Sequence, residues 1–140
     1  MAVPENVVKT SDFDFFSQEE AEVFDNTVGI RRRHIAPDNM CASDMCQAAA
    51  EKLLEELGWE RDSIDVLLFE SVTGDYRTPP TSCILQDRLA LSENCFCMDI
   101  PMGCCGCMYA ITVAGNLLTT GNVKRALLPV SYTHLTLPTK

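Results

Sequence analysis

The densest group of reactive side chains is a run of three cysteines placed among glycines. The segment reads Gly103-Cys104-Cys105-Gly106-Cys107 and lies where a buried strand is predicted to end and a helix to begin. A cysteine in the first turn of a helix lies among unpaired backbone N–H groups at the positive end of the helix dipole, which favours the thiolate. The spacing therefore predicts a nucleophilic thiol at this turn.

The two glycines of the turn suit acyl transfer. Gly103 and Gly106 allow a sharp backbone turn and a close approach of a substrate carbonyl, and the neighbouring amides can donate to the oxyanion that forms. The arrangement parallels the strand, nucleophile and helix elbow of hydrolases, with sulfur in place of the hydroxyl. Acyl transfer through a thioester is the chemistry that this pattern favours.

Two other uses of the cysteines stay open on spacing alone. Cys104 and Cys107 form a C-x-x-C at a helix start, as in the dithiols of thioredoxin-like redox proteins. Cys95 and Cys97 could join them in a structural zinc site, since a C-x-C on a strand directs both thiols to one face. Two helix–strand units precede the motif where a thioredoxin fold has one, and zinc knuckles usually occur in polar loops, so both alternatives are weaker.

The elements that must position the turn alternate between helix and strand. Apolar spacing and capping residues predict helices at residues 17–25, 42–57, 79–91 and 105–119. Continuous apolar runs predict buried strands at residues 65–70, 95–99 and 124–128. This alternation predicts an α/β fold with parallel strand pairing.

The helix predicted at residues 105–119 contains no charged residue. A helix that is apolar on all sides must be buried on all sides, and one sheet covers only one of them. A second sheet or a subunit should cover the rest, and this chain is too short to supply it. We therefore expect the polypeptide as given to be inert and poorly folded alone.

Composition and charge favour a single-domain protein and argue against several other classes of protein. The 140 residues, 46% of them hydrophobic, predict one domain over residues 1–128. The formal charge of −9 argues against nucleic-acid binding, and eight cysteines in an unsecreted chain are expected to be reduced. No apolar run is long enough to span a membrane and no secretory signal is present, so we expect a soluble cytoplasmic protein.

The C-terminal residues differ from the rest. VSYTHLTLPT, from Val130 to Thr139, looks like the translation of a transposon-type sequencing adapter. We expect residues 129–140 to be a non-native tail and the native sequence to stop near Leu128. His134 is therefore not a candidate catalytic base.

Four segments resemble the N-terminal half of a ketoacyl-acyl carrier protein synthase III of the thiolase superfamily. The most specific is DIPMGCCGCMYAI, whose D-x-x-x-x-C-x-G-x-x-Y-A pattern places the family's active-site cysteine on Cys104, its glycine on Gly106 and its tyrosine on Tyr109. The resemblance covers nearly all of residues 2–128 and implies a thiolase-like fold with a mostly parallel sheet and a buried central helix. The other three segments are PENVV, GIRRRHIA and PPTSCILQDRLAL.

The resemblance implies a decarboxylating condensation. Cys104 would take an acyl group from a coenzyme A thioester, and a malonyl group on acyl carrier protein would lose carbon dioxide and attack that thioester, giving a 3-oxoacyl product. Coenzyme A enters as substrate, no cofactor or metal is implied, and a homodimer without nucleic-acid or membrane partners is expected. The family's catalytic His and Asn lie in the C-terminal half, beyond the resemblance.

Other residues are candidates for binding. Arg31 and Arg32 suit coenzyme A phosphates or an acidic carrier protein, although pairing with local carboxylates is an equal alternative. Thr27 stands where the family commonly has an Arg that helps to bind coenzyme A, which puts the usual donor in doubt. Cys83 matches a region near the family's acyl pocket and dimer interface.

The remaining side chains of interest have structural interpretations. Cys105 and Cys107 fall where the family has packing residues, so we expect them to fill the core. His34 is expected to be structural.

Overall fold

The computed structural model describes residues 2–131, which divide into two compact units. One unit spans Val3–Met40 and the other contains residues 41–131 of the described part. None of the helices among these residues is both long enough and apolar enough to cross a membrane.

The first unit is a small antiparallel pair of strands with one helix between them. β1 (Val7–Lys9) pairs with β2 (Arg32–His34), and α1 covers Gln18–Val28. Ser17 caps the start of α1 and Gly29, in the left-handed conformation, ends it. The sequence patterns predicted the helix and missed both strands, because three residues are too few to establish an alternating pattern.

The second unit is a three-stranded parallel sheet with helices on both faces. β3 (Val66–Glu70) lies in the middle, between β4 (Phe96–Ile100) and β5 (Ala126–Leu127). The helices are α2 (Ala42–Leu57), α3 (Thr81–Arg88) and α4 (Gly106–Leu118). The predicted α/β class and the parallel pairing are confirmed.

The central strand separates two apolar layers. Leu67 and Phe69 pack with buried side chains of α2 and α3, whereas Val66 and Leu68 pack with Ala110 and Ala114 of α4. All five residues of β3 are buried, as its continuous apolar run predicts for a strand covered on both faces.

The start of the predicted tail lies beside β3. The Glu70 N–H donates to the Pro129 carbonyl at 3.0 Å, and the Ser131 N–H donates to the Glu70 carbonyl at 2.9 Å. Residues 132–140, including His134, lie outside the described residues. The adapter origin of the tail stays a prediction.

Candidate active site

Cys104 lies in the turn that joins β4 to α4. The turn is closed by a hydrogen bond from the Gly106 N–H to the Gly103 carbonyl at 2.7 Å. The Cys104 side chain is exposed and forms no disulfide. The strand, the tight turn and the helix start occur in the predicted order and present this thiol at the surface of the unit. The prediction that this strand is buried is wrong for most of it, since only Ile100 of β4 is buried.

The backbone amides of the turn are available as donors. Within residues 2–131, the N–H groups of Cys104, Cys105 and Cys107 have no hydrogen-bond acceptor, whereas the Met108 and Tyr109 N–H groups both donate to the Cys105 carbonyl. Unpaired N–H groups at a helix N-terminus are suited to hold a negatively charged oxygen. The turn therefore combines an accessible thiol with donors for an oxyanion.

Gly106 is the point where the turn meets the sheet. It is buried, and a methyl group added to it would overlap the side-chain carboxyl of Glu70 at the end of β3. Gly106 is therefore required by close packing. The role of Gly106 in substrate binding stays a prediction.

Glu70 is the residue of this region that the sequence patterns missed. Its side chain is 1% exposed, its Oε2 atom has no hydrogen-bond partner among the described residues, and burial raises the pKa of its carboxyl. The one available signal was a charged residue at the end of an otherwise apolar strand.

Asp99 fixes the segment that leads into the turn. Its two carboxylate oxygens accept the Thr81 N–H at 2.8 Å and the Ser82 N–H at 2.7 Å, at the start of α3. A carboxylate that accepts the first amides of a helix is a favourable cap. The end of β4, five residues before Cys104, is thereby tied to α3.

A polar chain fixes the loop after β3. The Ser43 hydroxyl donates to Asp75 at 2.6 Å, and the Asp75 N–H donates to the Thr81 hydroxyl at 3.0 Å. Arg88 completes the chain by donating to the Ser43 hydroxyl at 3.1 Å. These contacts connect α2, the loop and α3.

The other cysteines differ from Cys104 and from several predictions. Cys105 is exposed, so the prediction that it fills the core is wrong, because it precedes the first buried residue of α4. Cys107 is half-buried, and Cys83 lies exposed on α3. The role of Cys83 in substrate binding stays a prediction.

The predicted basic residues lie in the other unit. Arg31 and Arg32 are exposed and form no ion pair among the described residues. Arg33 instead donates to the Thr10 hydroxyl at 3.2 Å and lies 5.1 Å from the Phe24 ring centroid, a cation–π contact. Thr27 is exposed and donates to the Val23 carbonyl.

His34 has a structural contact, as expected. Its Nδ1 atom lies 2.6 Å from the Pro4 carbonyl oxygen, next to the β1–β2 pair. The loop before β1 is thereby connected to β2.

The zinc alternative finds no support in the described residues. No group of three or more His, Cys, Asp or Glu side chains within residues 2–131 could hold a metal ion. Burial raises the pKa of the Cys95 thiol, and burial together with neighbouring Cys95 raises the pKa of Cys97 to about 12. Zinc binding requires thiolates, which these environments disfavour.

Comparison with known proteins finds relatives that match most of this chain. No family model matches the chain. The β-ketoacyl-[acyl-carrier-protein] synthase III of Xanthomonas oryzae pv. oryzae is 34% identical over 126 residues, which cover 90% of this chain and 38% of that relative. Over the matched residues, the chain is similar to the first part of β-ketoacyl-[acyl-carrier-protein] synthase III enzymes. The corresponding enzyme of Geobacillus kaustophilus is 35% identical, with 90% of this chain and 40% of the relative covered.

Solved structures of similar enzymes match the same part of the chain. A 3-oxoacyl-(acyl-carrier protein) synthase from Burkholderia xenovorans LB400 has a TM-score of 0.86 and 40% identity, and the match covers 91% of this chain and 37% of that one. The synthase III of Aquifex aeolicus VF5 has a TM-score of 0.81 and 26% identity, over 91% of this chain and 41% of that one. The predicted thiolase-like fold is confirmed, and a thioredoxin-like protein is not supported.

The matched region covers only part of each synthase III relative. The chain spans 38% to 40% of the length of these curated synthase III relatives, corresponding to their first part. The activity, substrates and partners of a complete synthase III are therefore matters of proposal for this chain.

Proposed function

We propose that this chain carries the nucleophile-bearing part of an acyltransferase that condenses an acyl group with a malonyl thioester. The observation that carries the proposal is the exposed Cys104 thiol, placed beside unpaired amides at the start of α4, in a chain related to synthase III enzymes. A thiolate at a helix start attacks a thioester readily, and unpaired amides stabilise the oxyanion of the tetrahedral intermediate.

The proposed first step transfers an acyl group from coenzyme A. The Cys104 thiolate attacks the acyl carbonyl, a new carbon–sulfur bond forms, and the coenzyme A thiolate leaves and takes up a proton. The amides of Cys104, Cys105 and Cys107 are the candidate donors to the carbonyl oxygen. The proton that Cys104 releases on forming its thiolate balances the one that coenzyme A takes up, so the exchange needs no oxidant and no net change in protonation.

The proposed second step forms a carbon–carbon bond. Malonyl-acyl carrier protein loses carbon dioxide, and the resulting carbanion attacks the Cys104 thioester and displaces the thiolate, giving a 3-oxoacyl carrier protein. Groups that stabilise the carbanion are expected from the part of the synthase III relatives that this chain does not cover.

Arg31 and Arg32 are the candidate docking residues for the carrier. Both are exposed and neither forms an ion pair among the described residues, so their charges are free to meet a phosphate or an acidic protein surface. We propose acyl carrier protein and acyl-coenzyme A as partners and a homodimer as the assembly.

The test is acylation of the full-length protein by a short acyl-coenzyme A. Peptide mapping by mass spectrometry should find the acyl group on Cys104, and Cys104→Ser should abolish both acylation and condensation. Cys105→Ala is the matched control, since it removes an adjacent exposed thiol and should leave the acylation of Cys104 intact. Acylation of Cys105 or Cys107 instead of Cys104 would reject the assignment.

A further inference from the structure

The proposed chemistry leaves the buried carboxyl of Glu70 without a role. The side chain is 1% exposed, and its Oε2 atom has no partner among residues 2–131. Burying a polar atom without a hydrogen bond is costly, so a group of this kind needs a physical explanation.

Glu70 points toward the nucleophile's turn. Side chains alternate along a strand, so Glu70 shares a face of β3 with Val66 and Leu68, which pack against α4. Its carboxyl meets Gly106, the first residue of α4, so closely that a methyl group there would overlap it. Cys104 lies two residues before this contact.

An ion pair does not explain the buried position of the Glu70 carboxyl. No salt bridge to Glu70 occurs within the part of the chain that the structure describes, and burial is the cause that raises its pKa. Asp99, on the neighbouring strand, is already bound to the amides of α3. The contact with Gly106 is therefore the feature that gives Glu70 a specific place.

We propose that Glu70 is a positioning residue for Cys104. Its carboxyl fills the space beneath Gly106 and fixes the first turn of α4, so that the Cys104 thiol lies close to the unpaired amides of the turn. Glu70 and Gly106 are complementary in shape: Gly106 has no side chain, and the Glu70 carboxyl occupies the space that a side chain at residue 106 would need. The inference rests on the proposed nucleophilic role of Cys104.

The test measures the reactivity of each thiol in the full-length protein. Alkylation by iodoacetamide, followed by peptide mapping, gives a separate rate for every cysteine. Cys41 is exposed at the start of α2 and serves as the reference thiol, whereas Cys46 and Cys95 are buried and react only if the fold opens. The chain thus contains its own controls for reagent access and for unfolding.

Glu70→Ala should slow the alkylation of Cys104 about tenfold, because a displaced turn no longer holds the thiol beside the unpaired amides at the start of α4. The rates at Cys41, Cys46 and Cys95 should stay unchanged. Glu70→Gln keeps the shape and removes the acidic group, so its Cys104 rate should stay within about twofold of the wild-type rate. Comparing Ala with Gln separates the effect of shape from that of charge.

A compensating pair of substitutions provides the sharper test. Gly106→Ala should also slow the alkylation of Cys104, since the added methyl group collides with the Glu70 carboxyl. Glu70→Ala/Gly106→Ala should react faster at Cys104 than Gly106→Ala alone, because the methyl group enters the vacated space. Rescue by a second substitution is not expected from two independent losses of packing.

Three results would overturn the positioning role. They are an unchanged Cys104 rate in Glu70→Ala, additive slowing in the double variant, and labelling of Cys46 and Cys95 in Glu70→Ala, which would make Glu70 a requirement for the fold. Acyl-thioester formation on wild-type Cys104 is scored separately. If acylation fails while the alkylation pattern holds, the proposed function fails alone.

Discussion

The cysteines of this chain provide very different environments for the same functional group. Cys104 is exposed at a helix start, whereas Cys46 is buried in the layer between the sheet and α2, where burial, followed by the charges of Glu70 and Asp75, raises its pKa to about 11. A buried thiol with a raised pKa is a poor nucleophile near neutral pH. Position, more than residue type, distinguishes the candidate nucleophile from its neighbours.

Cys97 should make stability depend on pH in the alkaline range. Burial is the main cause that raises its pKa from 9.0 to about 12, so between these values the folded chain keeps a proton that the unfolded chain releases. This contribution to stability is fully present below pH 9 and is lost as pH rises toward 12. Cys97→Val removes the titration, so its urea midpoint should fall less steeply than that of the wild type between neutral pH and about pH 11. If the urea midpoints of the variant and the wild type fall equally steeply with pH, Cys97 does not cause the loss of stability.

Short polar contacts hold the ends of the strands and helices that surround the turn. β4 provides the clearest case, since Asp99 caps α3 while the strand leads into the Cys104 turn. α3 has only eight residues, so its own backbone hydrogen bonds give it little stability. The cap therefore has a large share in holding α3 against the sheet.

Asp99→Ala should reduce the free energy of unfolding by about 1 to 3 kcal/mol, because two amides at the start of α3 lose their acceptor. Urea denaturation measures this change. Asp87→Ala is a matched control on the exposed face of the same helix and should change stability by less than about 0.5 kcal/mol. Equal effects of the two substitutions would show that the cap has no special role.

Elements with a regular spacing of apolar residues could be predicted from the sequence. Contacts between residues far apart in the sequence could not. α2 was predicted with its observed bounds because apolar residues recur every four positions and Gly58 ends it in the left-handed conformation. The motif also predicted the strand, turn and helix order around Cys104, whose role as nucleophile stays a prediction. The contact between Glu70 and Gly106 joins residues 36 positions apart in different elements, and no local pattern records it.

Within residues 2–131, α4 is covered on one side only. Ala110 and Ala114 are buried against the sheet, whereas Met108, Tyr109 and Ile111 are 64%, 53% and 50% exposed. A helix without charged residues is expected to be covered on its other faces as well. The synthase III relatives, of which this chain covers 38% to 40%, have further sequence that could provide that cover.

The 140-residue chain on its own should therefore associate through the exposed face of α4. Each large apolar side chain gains about 1.5 to 3 kcal/mol when it is fully buried, so contact between several of them on two copies gives a substantial driving force. Light scattering should show a molecular mass that rises with protein concentration. Met108→Lys/Ile111→Lys should reduce this rise, while the helix content measured by circular dichroism stays the same. Leu53→Lys places a single lysine at an exposed apolar position of α2 and should have little effect. A monomer at every concentration, or an equal effect of Leu53→Lys, would show that the exposed face of α4 does not drive association.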